Sequence, residues 1–289
     1  MPGFELFDQR EIDAVTDVIK RKMVHRYSFQ ETRNDIYRVE EFEKAVAEKF
    51  GAKYCLAVSS GSAALYVGLR GLGIGPGDEV ITSPFTFIAS VEAILECGAV
   101  PVLAEIDESL NLDPDSVEDL ITDRTKAIMP VHMFGAAADL DAFSEICEEY
   151  GLWLIEDSCQ AMGATYHGKF VGTFGKWGPY SLDPYKLLTV GEGGLIVTDD
   201  QDVYRKMEYY HDHGHIHDYS IPRGAEGKAC LGFNFRMSEI QGAIGLVQLE
   251  KLGGAIANLR TNKKRVLEGI ELPAGVRLRD LPDPEGDIA

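Results

Sequence analysis

Apolar positions recur along this chain in two rhythms. Val39–Phe50 carries them at helical spacing and stops at Gly51, the pattern of an amphipathic helix with a glycine cap. Short apolar runs of strand length follow at 54–58, 79–82, 100–104, 127–131, 152–156, 179–182 and 194–198. Between them lie helical patterns such as Ser90–Cys97, Pro114–Ile121 and Asp139–Tyr150. Asp113 offers an N-cap with Pro114 in the first turn, and Gly151 closes the 139–150 stretch. Strands alternating with helices predict βαβ crossovers, hence an α/β fold: a mostly parallel sheet with helices on both faces. Ligands of such sheets bind beyond the carboxyl ends of the strands.

Farther along, Ser238 and Gln241 form a capping box that opens a long amphipathic helix running to about Leu252. A second helical stretch near 255–270 leads out of the sheet domain, and the tail after Leu272 is rich in Pro, Gly and Asp with no evident closing element. These signals divide the chain into an N-terminal segment (1–39), a large domain (40–252) and the start of a C-terminal lobe (253–289).

Composition narrows the partners. The 289 residues include 30 glycines and 45% hydrophobic residues, as in a globular enzyme with many tight turns. A net charge of −19 argues against nucleic acid or an anionic membrane, which both reward basic patches. Cys55, Cys97, Cys147, Cys159 and Cys230 are odd in number and form no CxxC pair, so neither a disulfide framework nor a structural zinc site is expected. Met1–Phe7 lacks the basic and apolar regions of a signal peptide, and no apolar run reaches membrane-spanning length, so the cytoplasm is the expected compartment.

The candidate chemistry centres on Lys186. It follows a strand-like segment and precedes the Gly-rich turn Gly191–Gly194. A lysine desolvated there can be neutral and form a Schiff base with an aldehyde. Asp157, at the end of an earlier strand, is the anion that keeps a pyridine nitrogen protonated. The pair points to pyridoxal phosphate.

Other segments carry competing explanations. Val58–Leu65 leads from a strand into a helix, whose N-terminal amides and dipole suit a phosphate; the same residues also make a plain strand-to-helix turn. Gly71–Gly77 imitates a dinucleotide fingerprint, but Pro76 holds the third-glycine position and the segment precedes its strand, which excludes NAD. Phe85 and Phe87 follow a strand; one could stack on a flat ring, while core packing is expected for at least one. Glu156 and Asp157 could also be a helix cap, and Cys159 has no patterned histidine to activate it. His211, His213, His215 and His217 alternate like metal ligands, yet Asp212 and Gly214 make a loop of them, and no metal is expected.

As an ordered set, these residues resemble the DegT/DnrJ/StrS sugar aminotransferases, fold-type-I pyridoxal-phosphate enzymes, from about Glu40 to Leu252. The resemblance implies a phosphate cradle at Ser60–Leu65 (Gly61, Ser62 and Ala63 among the binding residues) and ring stacking by Phe87. It implies that Asp157 pairs with the pyridine nitrogen, that Gln160 approaches the ring hydroxyl, and that Ser181 binds the phosphate. Lys186 becomes the Schiff-base residue, and Asn234, in the loop 232–240, reaches the phosphate held by a neighbouring subunit. Ser62 stands where the family has threonine and Leu182 where it has phenylalanine; hydroxyl and apolar character are kept. The family carries a further C-terminal lobe of roughly a hundred residues, a domain in size. The expected fold is therefore the large domain with that small lobe largely missing.

The implied function is transfer of an amino group from glutamate or glutamine to a keto- or aldehyde-sugar, in nucleotide-sugar, lipopolysaccharide or antibiotic-sugar biosynthesis, by a homodimer with shared sites. Catalysis falls to Lys186 and Asp157. Pro2–Phe7 and Arg26–Phe29 resemble a subgroup that aminates C8 of a 3-deoxy-octulosonate sugar. The alternatives are a non-catalytic cofactor-binding or regulatory protein, or a sugar dehydratase; in the latter histidine replaces the lysine, which Lys186 opposes.

Overall fold

The computed structural model describes residues 3–222 and 224–288. Helix α1 spans Gln9–Arg21, α2 Gln30–Arg33 and α3 Arg38–Phe50. Strand β1 (Tyr54–Val58), helix α4 (Gly61–Leu72), β2 (Glu79–Thr82), α5 (Ala89–Glu96), β3 (Val100–Leu103) and β4 (Thr125–Met129) follow. Next come α6 (Leu140–Tyr150), β5 (Trp153–Leu154), β6 (Thr165–Tyr166), β7 (Lys169–Phe170), β8 (Gly178–Ser181) and β9 (Gly194–Thr198). Helices α7 (Gln201–Tyr210) and α8 (Glu239–Gly269) complete the order.

Strands β3, β2, β4 and β5 lie side by side and parallel. A parallel bridge between Ile155 and Trp177 joins them to the β8 side, where β9 runs antiparallel between β8 and β1. The sheet is thus mostly parallel, with β9 reversed. Alternation along β1 shows why both faces are covered. Leu56 and Val58 enter a core with α4, α5 and α7, while Cys55 and Ala57 enter one with α3 and α8. A third core packs Ile81, Ile128 and Leu154 against α6. Strands buried on both faces read as the continuous apolar runs seen in the sequence. Gly68 lets α4 lie close to the sheet, since a Cβ there would stand 2.5 Å from the Trp177 ring.

Four elements differ from the sequence expectation. Pro114–Ile121 is two 3₁₀ turns, Pro114–Ser116 and Glu118–Leu120. Val117 is its one fully buried anchor, too little apolar surface to hold a long helix. The stretches expected to part near Leu252 are one 31-residue helix, α8. Helix α1 carries apolar residues at helical spacing (Ile12, Val15, Val18 and Ile19) outside the expected elements: Val18 is buried, Ile12 and Ile19 are exposed, and Glu11 is buried and paired with Lys251 of α8. The β6–β7 hairpin turns through His167 and Gly168, both at positive φ, as a two-residue hairpin turn requires. The tail also returns to the body: Thr165 N donates to Gly286 O (3.0 Å), and Ile288 is buried beside α6.

Candidate active site

Four short segments meet at the carboxyl edge of the sheet. They are the start of α4, residues 87–90 leading into the first turn of α5, the chain after β5, and the loop after β8. Together they line a cavity of about 510 Å³ that includes Gly61, Ser62, Phe87, Asp157, Gln160, Ser181 and Lys186.

Asp157 is 3% exposed at the floor of this cavity. Its backbone is pinned on both sides, Asp157 N donating to Pro130 O (2.9 Å) and His132 N donating to Asp157 O (3.1 Å). Both carboxylate oxygens have donors: Cys159 N to Oδ1 (3.1 Å) and the Ser90 hydroxyl to Oδ2 (2.6 Å). The neighbouring Glu156 faces the other way. Its carboxylate accepts from Gly172 N (2.5 Å), Phe174 N (2.6 Å) and Gly175 N (2.7 Å), and His132 Nε2 lies 3.2 Å from it. Ala138 N donates to His132 Nδ1 (3.0 Å), so the ring proton is on Nε2 and points to Glu156. Consecutive strand-end residues thus divide the work, Glu156 tying down the 172–175 turn and Asp157 facing the cavity. Glu156→Ala is expected to leave those buried donors unpaired and cost about 3–5 kcal/mol of stability, read as a lower urea midpoint.

Lys186 Nζ lies 3.5 Å from Asp183 Oδ2, and the side chain keeps 26% of its surface open. The condition set from sequence, a desolvated lysine, is thus met only in part. Ser181 Oγ donates to the same Asp183 oxygen (3.1 Å), which puts the lysine, the serine and the aspartate in one cluster. Ser60 caps α4, its Oγ accepting from Ala63 N (3.0 Å). That bond takes the Ala63 amide, and Ala63 does not line the cavity; Gly61 and Ser62 do. The cradle demands glycine at 61, because a Cβ there would stand 2.7 Å from Ser181 Cβ.

Phe87 is 67% exposed along the cavity wall, and Phe85 is partly exposed, edge-on to Phe134. Neither sits in the core, contrary to the expectation for at least one of them. Cys159 lines the cavity, but burial, and then the Asp157 charge, push its thiol well above the usual range, so it is no nucleophile. Asn234 is not brought into this cavity. It lies across a bridge from Asp212, with its Oδ1 accepting from Arg236 N (3.3 Å). The histidines point to separate protein partners: His211 Nε2 lies 3.0 Å from the Tyr27 hydroxyl and His217 Nε2 lies 2.9 Å from Asp212. His215 pairs with Glu226. Among the described residues no group of His, Cys, Asp or Glu converges as a metal site, and no helix is long and apolar enough to cross a membrane.

Sequence reasoning missed Ser90. Its contact with Asp157 joins residues 67 positions apart and has no local signature.

The residues fit pyridoxal phosphate. A buried carboxylate suits a pyridinium nitrogen, an exposed phenyl ring a flat heterocycle, and a helix start beside a serine hydroxyl a phosphate. Such a cavity on this sheet defines the fold-type-I class of pyridoxal-phosphate proteins. Comparison with known proteins narrows the class: the profile of the DegT/DnrJ/EryC1/StrS aminotransferase family matches residues 8–278. The chain belongs to that family, and pyridoxal phosphate is its cofactor. It is 44% identical over 218 residues to GDP-perosamine synthase of Caulobacter vibrioides, covering 75% of this chain and 57% of that protein. It is 39% identical over 249 residues to L-glutamine:2-deoxy-scyllo-inosose aminotransferase of Streptomyces kanamyceticus, covering 83% and 58%. The X-ray structure of the aminotransferase from Psychrobacter cryohalolentis superposes with a TM-score of 0.83 at 36% identity, covering 91% of this chain and 66% of that one. The chain thus spans under three fifths of the two curated relatives.

Proposed function

We propose that this chain carries the cofactor half of a sugar aminotransferase, moving an amino group from glutamate or glutamine to a keto- or aldehyde-sugar. The observation that carries the proposal is Lys186 and Asp157 on the walls of one cavity. When bound, pyridoxal phosphate supplies an electron sink for the electrons left by a departing Cα proton. Lys186 would hold it covalently through Nζ, and the free amine would carry the proton to and from the donor Cα. Asp157 keeps the ring nitrogen protonated. Gly61, Ser62 and Ser181 would hold the phosphate, Phe87 would lie against the ring, and Gln160 would meet its hydroxyl. The names of the relatives support an acceptor of the sugar or cyclitol kind and a glutamine donor. A narrower acceptor, C8 of a 3-deoxy-octulosonate, rests on the N-terminal resemblance. Pro2 of that run lies outside the described residues, while Gly3 N donates to Lys186 O (2.7 Å), so the run borders the site.

The partial exposure of Lys186, with 26% of its side-chain surface open, suits a second reading, a cofactor-binding protein without turnover. Absorbance separates the two. The cofactor-loaded protein should be yellow and should bleach on adding glutamate or glutamine; a yellow protein that stays yellow supports the second reading.

We further propose that two copies share their sites. Leu231 and Phe233, 96% and 63% exposed, precede Asn234, and Phe233 and Phe235 line a groove beside the start of α4, an apolar surface that suits a second copy. Asn234 would then reach the phosphate of the partner's site, in a symmetric dimer. Mixing inactive Lys186→Ala chains with inactive Asn234→Asp chains should restore activity, because one of the two sites in a mixed dimer carries neither defect. No recovery in mixed dimers shown to form would place Asn234 in its own subunit's chemistry.

A further inference from the structure

The oxygens of Asp157 are held before any ligand approaches, and one of the holding groups has no counterpart in the proposed set of site residues. Ser90 lies in the first turn of α5, 2% exposed, with its Oγ 2.6 Å from Asp157 Oδ2 and 2.9 Å from Thr86 Oγ1. A serine hydroxyl has one hydrogen, and a carboxylate can only accept. Ser90 therefore gives its proton to Asp157 and takes that of Thr86. The direction of the chain is fixed: Thr86 donates to Ser90, which donates to Asp157. Ser90 N also donates to Phe87 O (3.2 Å), so the turn that presents the aromatic wall also presents the donor.

We propose that Ser90, backed by Thr86, is a positioning residue that decides where the proton rests between Asp157 and the ring nitrogen. The proposal builds on the reading of Asp157 as the partner of that nitrogen. Each hydrogen bond to a carboxylate stabilises its charged form. With Ser90 and the Cys159 amide both donating, the carboxylate charge of Asp157 is held fixed opposite the ring nitrogen, which favours the shared proton on the nitrogen. A short O–H···O⁻ bond is also among the stronger ones, and it stops the carboxylate from turning about its last torsion. Without the Ser90 hydroxyl, Asp157 competes for the proton, the ring draws less charge, and groups conjugated to it keep their own protons to higher pH.

The test uses the full chain loaded with pyridoxal phosphate and follows the colour of the bound chromophore across pH. Borohydride reduction of the same samples reports whether Lys186 carries the label. In Ser90→Ala the label should remain on Lys186, while the midpoint of the colour change rises by about one pH unit. Exchange of the glutamate α-hydrogen with solvent should slow about tenfold. Ser90→Thr, which keeps the hydroxyl, should restore both readouts, and Thr86→Ala should raise the midpoint by less. A wild-type midpoint and exchange rate in Ser90→Ala, even with a lower melting temperature, would reduce Ser90 to a packing residue and overturn the proposal while leaving the assignment of Lys186 intact. An unlabelled Lys186 in the wild type would overturn the functional reading and this inference together. If Ser90→Ala does not fold, Thr86→Ala decides the matter, since its site is only half-buried: an unmoved midpoint there contradicts the relay.

Discussion

Replacing Lys186 with alanine is expected to remove amino transfer by at least about a thousandfold, the upper range for loss of a positioned acid–base group. Covalent attachment of the cofactor goes with it. The fold should survive, because the side chain is partly open to the cavity and belongs to none of the three apolar cores. Removing it strands Asp183, but that carboxylate keeps the Ser181 hydroxyl and the Tyr185 amide as donors. Circular dichroism and melting temperature close to wild type, with no detectable turnover, are the expected pair of results. Normal turnover would show that another group carries the chemistry.

Asp157→Asn is expected to separate binding from rate. The amide is nearly isosteric, and its one oxygen still accepts from Cys159 N, but its NH2 takes the place of the oxygen that accepted from Ser90, so that hydroxyl must turn its proton elsewhere. The charge facing the ring nitrogen is lost. Removing one partner of a buried charged pair costs about 3–5 kcal/mol, which is roughly 10² to 5 × 10³-fold in rate. The defect should fall on proton removal from the donor Cα, measured by isotope exchange, with the cofactor still bound. Glu156 offers no substitute, since its carboxylate is committed to the amides of Gly172, Phe174 and Gly175. Near-normal exchange in Asp157→Asn would mean that protonation of the ring does not limit the reaction.

Much of this was legible in the sequence because the sheet is buried on both faces. Strands such as β1 and β9 show as short apolar runs, and the caps at Asp113 and Ser238 and the stop at Gly151 mark helix ends that the structure keeps. The unread parts share a cause: they are held by long-range contacts. Helix α1 is anchored by a buried ion pair between Glu11 and Lys251, and the tail by Asp287 with Lys263 and Arg279. The β6–β7 hairpin has two residues per strand, too few for a period to appear. Within the site, the adjacent acids Glu156 and Asp157 look equivalent in sequence. Only the donors around each decide that one braces a turn and the other faces the cavity. Ser90 and Asp183 were missed for a related reason, since a hydroxyl or carboxylate gains its role from what folding sets opposite it.

The most direct test of the central claim is chemical. Protein incubated with pyridoxal phosphate is reduced with borohydride, digested, and its peptides mapped by mass. The pyridoxyl group should appear on Lys186 and on no other lysine, and it should be lost from Lys186→Ala. A label on a different lysine, or the same labelling in Lys186→Ala, would contradict the account.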